Sequence, residues 1–207
     1  MVAAREAAAL APVKRGPGRP PDLAKRQAII DAAREVLAEV GYASMTIDAV
    51  AQRAGSNRVL IYRVWDSKVA LARDALFGAT EELEVPDTGS TEADLRGFIA
   101  QQVARMTTPA YVNGVPGLTV ELLGDPELFR DTHRRFVKPS EDGFRTILQR
   151  GRDRGEVAGD VDAVVLTRVV SGATAGLAQT GRLTPAEITD LLVKTLVGGL
   201  IPFKSPS

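Results

Sequence analysis

The fold of this chain is decided by residues 41–76, GYASMTIDAVAQRAGSNRVLIYRVWDSKVALARDAL, in which three short helical patterns follow one another. Thr46 can cap a helix of about two turns that ends at Gly55, because its hydroxyl accepts a hydrogen bond from an otherwise unpaired amide. Asn57 can cap a second short helix in the same way, and the Asp66–Ser67 pair can cap a third. The segment therefore predicts three short helices joined by tight turns.

The first two of these helices fit a helix-turn-helix over about residues 46–65. A small residue, Ala51, lies where the helices would cross most closely, and Gly55 allows the turn between them. The side chains predicted to hold the crossing are apolar: Val50, Ala54, Ile61 and Val64. The side chains left outward on the second helix combine hydrogen-bond donors, a phenol and an apolar group: Asn57, Arg58, Leu60, Tyr62 and Arg63. Such a surface fits the major groove of DNA.

The rest of the chain repeats apolar residues with the helical period and shows no strand pattern. Further helices are predicted from about residue 22 to Gly41, from Leu95 to Met106, near Leu118–Leu123, from Pro126 to Arg154 with a kink or break at Pro139, and over residues 163–180 and 186–200. We therefore expect an all-α protein of about nine helices. The predicted parts are a basic arm over residues 1–21, a three-helix helix-turn-helix domain that binds DNA over 22–84, and a larger helical domain for ligand binding and dimerisation over 91–203.

The composition excludes several classes of protein. Of the 207 residues, 44% are apolar and 25% are charged, which is typical of a soluble globular protein. The sequence has no cysteine and a single histidine, His133, so we expect no disulfide, no metal site and no cofactor. The longest uncharged stretch near the C-terminus, Val169–Gly181, is too short and too rich in Ser, Thr and Gly to cross a membrane. We therefore expect a cytoplasmic protein without a membrane segment.

Positive charge is concentrated near the N-terminus. Residues 1–80 contain 12 Lys and Arg against 8 Asp and Glu, although the whole chain has no net charge. Most of the excess lies between Lys14 and Arg26, around the segment Gly16–Pro21, whose prolines favour an extended backbone. Arg19 in such an arm can enter a narrow minor groove, and the alternative is a disordered, solvated leader.

Residues 41–76 resemble the DNA-binding domain of the tetracycline-repressor (TetR-type) regulators. The resemblance is carried by eight residues that stand in order at the family's spacings: Gly41, Tyr42, Thr46, Ala51, Gly55, Tyr62, Trp65 and Lys68. It implies that Thr46, Tyr62 and Lys68 contact the phosphates of double-stranded DNA, while Asn57, Arg58 and Leu60 approach base edges. We expect Trp65 to pack between the first and fourth helices. The chain departs from the family pattern at Ser56, where an aliphatic residue is usual, and at Val59, where glycine is common.

The resemblance also implies that the C-terminal helices bind a small effector and form a dimer. The predicted helix over 163–180 is apolar on nearly all sides, so most of its surface must be buried. Gly172, Ala173 and Gly176 would allow another helix to approach closely. We therefore predict a homodimer through the last two helices, which would present two recognition helices to a pseudo-palindromic operator. The alternative is burial of these helices within one subunit.

Apolar and aromatic residues between these helices and the first domain either line an effector cavity or fill a core. The candidate ligand-binding residues are Phe98, Met106, Tyr111, Leu118, Leu122, Phe129, Phe136 and Phe144. His133, which two arginines follow, either contacts a ligand or lies on a solvated helix face. A cavity lined in this way implies an apolar small-molecule effector.

Together these features predict a DNA-binding transcriptional regulator, a repressor that a small-molecule effector releases from its operator. The alternatives are an all-helical carrier or enzyme for an apolar small molecule, with a merely structural N-terminal unit, and an adaptor that binds only protein. The carboxylates that an enzyme could use, Glu121, Asp125 and Glu127, fit helix ends and surface charge better, so we predict no enzyme. Salt-sensitive DNA binding separates the regulator from both alternatives.

Overall fold

The computed structural model describes residues 23–78, 83–157 and 161–200, and it contains no strand within these ranges. The helices are α1 (Leu23–Ser44), α2 (Ile47–Arg53), α3 (Arg58–Tyr62), α4 (Lys68–Phe77), α5 (Thr91–Met106), α6 (Pro109–Gly124), α7 (Pro126–Thr132), a π-helical segment (His133–Val137), α8 (Lys138–Asp153), α9 (Ala163–Thr180) and α10 (Pro185–Leu200). If the unbroken run from Pro126 to Asp153 is counted as one helix, the described part has nine. The predicted all-α fold is confirmed.

Three predicted helix starts are confirmed by side-chain caps. The Thr46 hydroxyl accepts from the Ala49 amide at 3.1 Å, and the Asn57 side-chain oxygen accepts from the Leu60 amide at 3.0 Å. Of the Asp66–Ser67 pair it is Ser67 that caps α4, because its hydroxyl accepts from the amide three residues later at 3.1 Å. These caps satisfy amides that helices as short as α2 and α3 would otherwise leave unpaired.

Gly41 interrupts α1 three residues before its end. Its backbone has φ 69° and ψ 177°, a conformation that side chains with a Cβ rarely adopt. A Cβ on Gly41 would also lie 3.0 Å from the backbone oxygen of Asn113 in α6. The helical path is therefore interrupted where the sequence predicts the end of the first helix.

The prediction for α6 was wrong in length, because this helix begins at Pro109 rather than near Leu118. Its sequence contains Gly114, Pro116 and Gly117, which normally argue against a helix interior. Tertiary packing explains the difference: a Cβ on Gly114 would meet side chains of α1 and α4 at 3.1–3.3 Å, and one on Gly117 would meet Tyr42 at 3.1 Å. Glycine lets α6 lie close against α1, and this contact outweighs the weak local preference.

The helical run continues through Pro139, where a kink or break was predicted, but its hydrogen-bond pattern changes just before this residue. Residues His133–Val137 form a π-helical segment, and Pro139 lies in the first turn of α8. The wider hydrogen-bond pattern ends at Lys138, whose amide donates to the His133 oxygen, and Pro139, which has no N–H to donate, follows directly. The wider π turn places His133 and Phe136 on the wall of the cavity described below.

Two apolar cores hold the fold together. The first joins α1, α2, α3 and α4 to Ala110, Leu118 and Leu122 of α6. The second joins α5, α8, α9 and α10, with Phe98 and Phe144 in edge-to-face contact at 4.8 Å between ring centroids. Within the described ranges, no helix is long and apolar enough to cross a membrane.

The start of α5 is tied to the loop between α8 and α9. The Glu156 carboxylate accepts from the hydroxyl of Thr91 at 2.6 Å and from its amide at 2.8 Å. These hydrogen bonds, with a further contribution from Arg154, lower the pKa of Glu156 to about 2. The carboxylate therefore stays charged well below the pH at which glutamate usually becomes protonated.

Candidate functional site

The helix-turn-helix crossing is formed by side chains of α2 and α3. Val50 of α2 and Ile61 of α3 are fully buried in the same apolar core, and Ala51 of α2 is buried with them. Gly55 adopts φ 59° in the turn between the two helices. Val64 was predicted to point inward, and this was wrong, since 48% of it is exposed. The reason is that α3 ends at Tyr62, so that Val64 no longer follows the helical period.

One face of this unit is open to solvent, and we call it the recognition surface. It consists of the exposed residues of α3 and its two ends: Asn57, Arg58, Val59, Leu60, Tyr62 and Arg63. All five outward residues predicted from the sequence lie on it, with Val59 as an additional apolar member. The opposite face of α3 is closed by Ile61. A short helix with one buried and one exposed face can thus be presented to another molecule without disturbing the core.

The charges on the recognition surface are weakly held. Arg58 lies 3.5 Å from Asp48 of α2, with 62% and 70% of the two side chains exposed. Exposed ion pairs contribute about 0–1 kcal/mol, because water screens them. Asn57 uses its side-chain oxygen as a cap and keeps its amide nitrogen for an outside acceptor. Arg58 can therefore turn towards a ligand at little cost, and Asn57 can donate from its amide nitrogen while its cap stays in place.

Thr46 and Lys68 flank this surface, and both also have structural roles. The Thr46 oxygen accepts from Ala49 as a cap, which leaves its hydroxyl proton for another acceptor. The ammonium group of Lys68 donates to the backbone oxygens of Tyr42 at 3.0 Å and Ala43 at 3.5 Å, and it lies 4.3 Å from the centre of the Tyr42 ring. Lys68 thus ties α4 to the end of α1. The predicted arm residue Arg19 lies outside the described residues.

Trp65 packs between α1 and α4, which confirms its predicted position. It is buried, and its indole N–H donates to the Asp74 carboxylate at 3.0 Å. Arg26 of α1 donates to the same carboxylate oxygen at 2.9 Å and lies 5.4 Å from the centre of the indole ring. This cluster supports the recognition surface from behind and is not part of it.

A cavity of about 240 Å³ lies among α4, α5, α6, α7, the π-helical segment, α8 and α9. Six of the eight predicted residues line it: Met106, Tyr111, Leu122, Phe129, Phe136 and Phe144. The other two were wrongly placed there. Phe98 is fully buried under α8, where a Cβ on Gly143 would lie 2.3 Å from its ring, and Leu118 is fully buried in the first core. Apolar residues that fill a core and apolar residues that line a cavity look alike in a sequence.

Apart from His133, the polar residues of the cavity wall were not predicted from the sequence. Gln102 and Arg105 of α5 line the cavity, and the arginine donates to the glutamine oxygen at 2.8 Å. The Ser140 hydroxyl donates to the same oxygen at 3.2 Å. One signal could have revealed this group, since Gln102 interrupts the apolar stripe of α5 between Phe98 and Met106.

A second polar group on the cavity wall is internally paired. The Glu141 carboxylate is almost fully buried; it lies 3.0 Å from the His133 ring nitrogen and 4.0 Å from Arg168 of α9. His133 therefore lines the cavity but uses one ring nitrogen on Glu141. Within the described part of the chain, this carboxylate has two partners that can balance its charge.

The cavity is in direct contact with the helix that follows the recognition surface. Phe77, at the end of α4, lines the cavity and packs against Phe136 at 5.7 Å and Tyr111 at 5.9 Å between ring centroids. One turn earlier, the buried Arg73 donates to Asp131 of α7 at 2.9 Å. A change in the cavity wall can thus reach α4 through packed side chains.

Two family models match the chain over neighbouring segments. Residues 29–75 match the bacterial regulatory proteins of the tetR family, and this segment contains α2 and α3 with the recognition surface. Residues 85–200 match the tetracyclin repressor-like C-terminal domain, and this segment contains α5 to α10 with most of the cavity wall. The two matches together cover both of the features described above.

Individual relatives agree with the family models. The HTH-type transcriptional regulator YdeS of Bacillus subtilis is 31% identical over 185 residues, which are 87% of this chain and 89% of that protein. The HTH-type transcriptional regulator AqdR of Rhodococcus erythropolis is 34% identical over 146 residues, which are 69% of each protein.

Solved structures show the same fold. The fatty acid degradation regulator FadR from Bacillus halodurans has a TM-score of 0.68 over 87% of this chain and 97% of its own, at 17% sequence identity. The TetR family transcription regulator SCO0332 has a TM-score of 0.57 over 86% of this chain and 99% of its own, at 28% identity.

Proposed function

This chain belongs to the tetR family of bacterial DNA-binding transcriptional regulators, and we propose that it represses transcription from a pseudo-palindromic operator until a small-molecule effector enters its cavity. The observation that carries this proposal is the recognition surface. Donors, a phenol and apolar groups are exposed together on a five-residue helix whose other face is buried. Such a face can lie in a major groove while the rest of the unit stays folded.

Each DNA-facing side chain has a role that its chemistry supports. Arg58 and the amide nitrogen of Asn57 donate to base edges, and Leu60 contacts a thymine methyl group. The Tyr62 and Thr46 hydroxyls, together with Arg63, contact phosphates on either side of the groove. Lys68 adds a positive charge at a phosphate while it holds the end of α1.

Selection from a pool of random duplexes at two salt concentrations tests the DNA-binding role. Enrichment of one pseudo-palindromic sequence is expected, with affinity that falls steeply as salt rises, because phosphate contacts release condensed counterions. A folded protein that retains no duplex at low salt would contradict the proposal.

The dimer is proposed to form through α9 and α10. Along α9, Val165, Val169, Gly172 and Gly176 follow one another at helical spacing on an exposed face. A Cβ on either glycine would meet no atom within 4 Å, so another helix can approach closely there. Leu191 of α10 adds exposed apolar area. A twofold dimer of this kind places its recognition surfaces about 34–36 Å apart, one turn of DNA.

Val169→Glu tests this interface, because a charge cannot be buried there without a partner. Sedimentation of the Val169→Glu protein should show monomers at a concentration where the wild type is dimeric. Its operator affinity should be lower, because a monomer presents only one recognition surface. Val120→Glu is the matched control, since Val120 on α6 is 73% exposed against 46% for Val169 and lies outside the proposed interface. A Val169→Glu protein that stays dimeric would place the interface elsewhere.

The effector is proposed to act through α4. A ligand that displaces Phe136 or Tyr111 also displaces Phe77 and with it α4. Asp74 of α4 accepts a hydrogen bond from Trp65, which follows the recognition surface by two residues, so this movement can reach that surface. A coupling free energy of about 1–3 kcal/mol would change operator affinity about 5- to 150-fold. Linkage requires the operator to weaken ligand binding by the same factor. A ligand that occupies the cavity and leaves operator affinity unchanged would contradict this role.

A further inference from the structure

Two hydrogen-bond donors on the cavity wall have no acceptor within the described ranges. They are the Nε2 atom of Gln102 and the Nε atom of Arg105, and both are fully buried. The orientation of the Gln102 amide follows from chemistry: a guanidinium can only donate, so the amide oxygen must face Arg105 and the amide nitrogen must point away. Buried donors normally have partners, so this pair marks a place where an acceptor is missing.

Charge on the cavity wall is also unbalanced. Arg105 and Arg168 both line the cavity, and Glu141 is the carboxylate that pairs with Arg168 and His133. Among the described residues, Arg105 has no carboxylate within 4.0 Å. Arg105 is half-buried, and this burial lowers the pKa of its guanidinium.

The surroundings of Arg105 restrict what the missing acceptor can belong to. Phe136, Phe144, Phe129 and Met106 make most of the remaining wall apolar. Tyr111 also lines the cavity, and its partial burial raises the pKa of its phenol while the nearby Arg105 opposes that rise. A small hydrated anion would leave the aromatic wall unfilled, whereas a neutral apolar molecule would leave both donors unpaired.

We propose that the effector is an amphipathic anion, an apolar body with one carboxylate, whose oxygens accept hydrogen bonds from Arg105 and Gln102. The inference rests on the proposed role of the cavity as an effector site. The carboxylate supplies the counter-charge for Arg105 and the acceptor for Gln102 Nε2, and the apolar body covers the phenylalanines. Charge-assisted bonds of this kind are about twice as strong as neutral ones.

Isothermal titration of the full-length protein with octanoate, octan-1-ol and octylamine tests the proposal, because these probes share one chain and differ in head group. Octanoate is expected to bind at least about tenfold more tightly than octan-1-ol, and octylamine least tightly. Arg105→Met should remove the preference for octanoate, whereas octan-1-ol, which carries no charge, should lose much less affinity. Arg182→Met is the control, since Arg182 is exposed in the turn after α9.

Two further variants keep the test decisive if Arg105→Met is unstable. Arg105→Lys keeps the charge without the planar guanidinium and should retain part of the preference, whereas Gln102→Leu should reduce it without a change of charge. Equal binding of octanoate and octan-1-ol by the wild type would overturn the proposal and leave the effector cavity intact. If none of the three probes binds, both the carboxylate proposal and the effector role of the cavity are overturned. Operator binding by the same sample reports separately on DNA recognition.

Discussion

Arg58 offers a sharp test of base recognition, because its replacement should change DNA binding with little change in folding. The side chain is mostly exposed, and its described ion pair is the 3.5 Å contact with the equally exposed Asp48. Loss of such a pair costs about 0–1 kcal/mol of folding free energy. Loss of a bidentate contact with a base costs about 1–3 kcal/mol of binding free energy, which corresponds to about 5- to 150-fold in affinity.

The assay is fluorescence anisotropy with the selected operator and with a scrambled duplex of the same length. Arg58→Ala should weaken operator binding by about 5- to 150-fold. Binding to the scrambled duplex should change much less, since a base contact contributes only to the correct sequence. Urea unfolding should show nearly the same midpoint as the wild type. Arg145→Ala is the control, because Arg145 is an exposed arginine of α8 that also has an acidic partner.

Equal loss of affinity on both duplexes would refute base recognition and make Arg58 a phosphate contact. Unchanged affinity on both would remove Arg58 from the interface. In either case Asn57 and Leu60 would remain the candidates for base contacts on the recognition surface.

Three further predictions concern the parts that support these surfaces. Lys68→Met should weaken binding to all duplexes alike and reduce the salt slope of binding by about one. It should also lower the urea midpoint, because the carbonyls at the end of α1 lose their donor. A wild-type salt slope would exclude the phosphate contact. Glu156→Gln should lower the melting temperature at pH 6. The difference from the wild type should shrink as pH falls from 4.5 towards 2, because the hydrogen bonds that lower the pKa of Glu156 stabilise the fold only while its carboxyl is charged. A pH-independent difference would contradict this. Gly143→Ala should destabilise the protein by about 1–3 kcal/mol in urea titrations, since its Cβ would lie 2.3 Å from the ring of Phe98. Gly124→Ala, where a Cβ would meet no atom within 4 Å, should not, and equal effects would show that overpacking is not the cause.

The helix-turn-helix could be predicted from the sequence because its determinants are local. A cap such as Thr46 or Asn57 acts on an amide three residues away, so its partner lies within the same short segment. The structural role of Lys68 could not be predicted in this way. Its acceptors are 25 and 26 residues away, and they come within reach only when α4 packs against the end of α1.

The C-terminal part was less predictable because its determinants are contacts between distant elements. Gly114 and Gly117 weaken α6 locally, yet they allow the close packing on α1 that stabilises it. Phe98 fills a core while Phe144, its edge-to-face neighbour, reaches the cavity, and no local pattern distinguishes the two. Among the polar residues of the cavity, His133 was named as a candidate from the sequence, and Gln102 could have been suspected because it interrupts an apolar stripe.

Amide hydrogen exchange with and without the operator duplex tests the central claim most directly, because it identifies the segment that DNA covers. The slowing of exchange on addition of the duplex is expected to be largest over residues 46–68 and much smaller in α8, which lines the cavity and not the recognition surface. Protection that is absent from residues 46–68, or that appears in α8 instead, would contradict the assignment of α3 as the recognition helix.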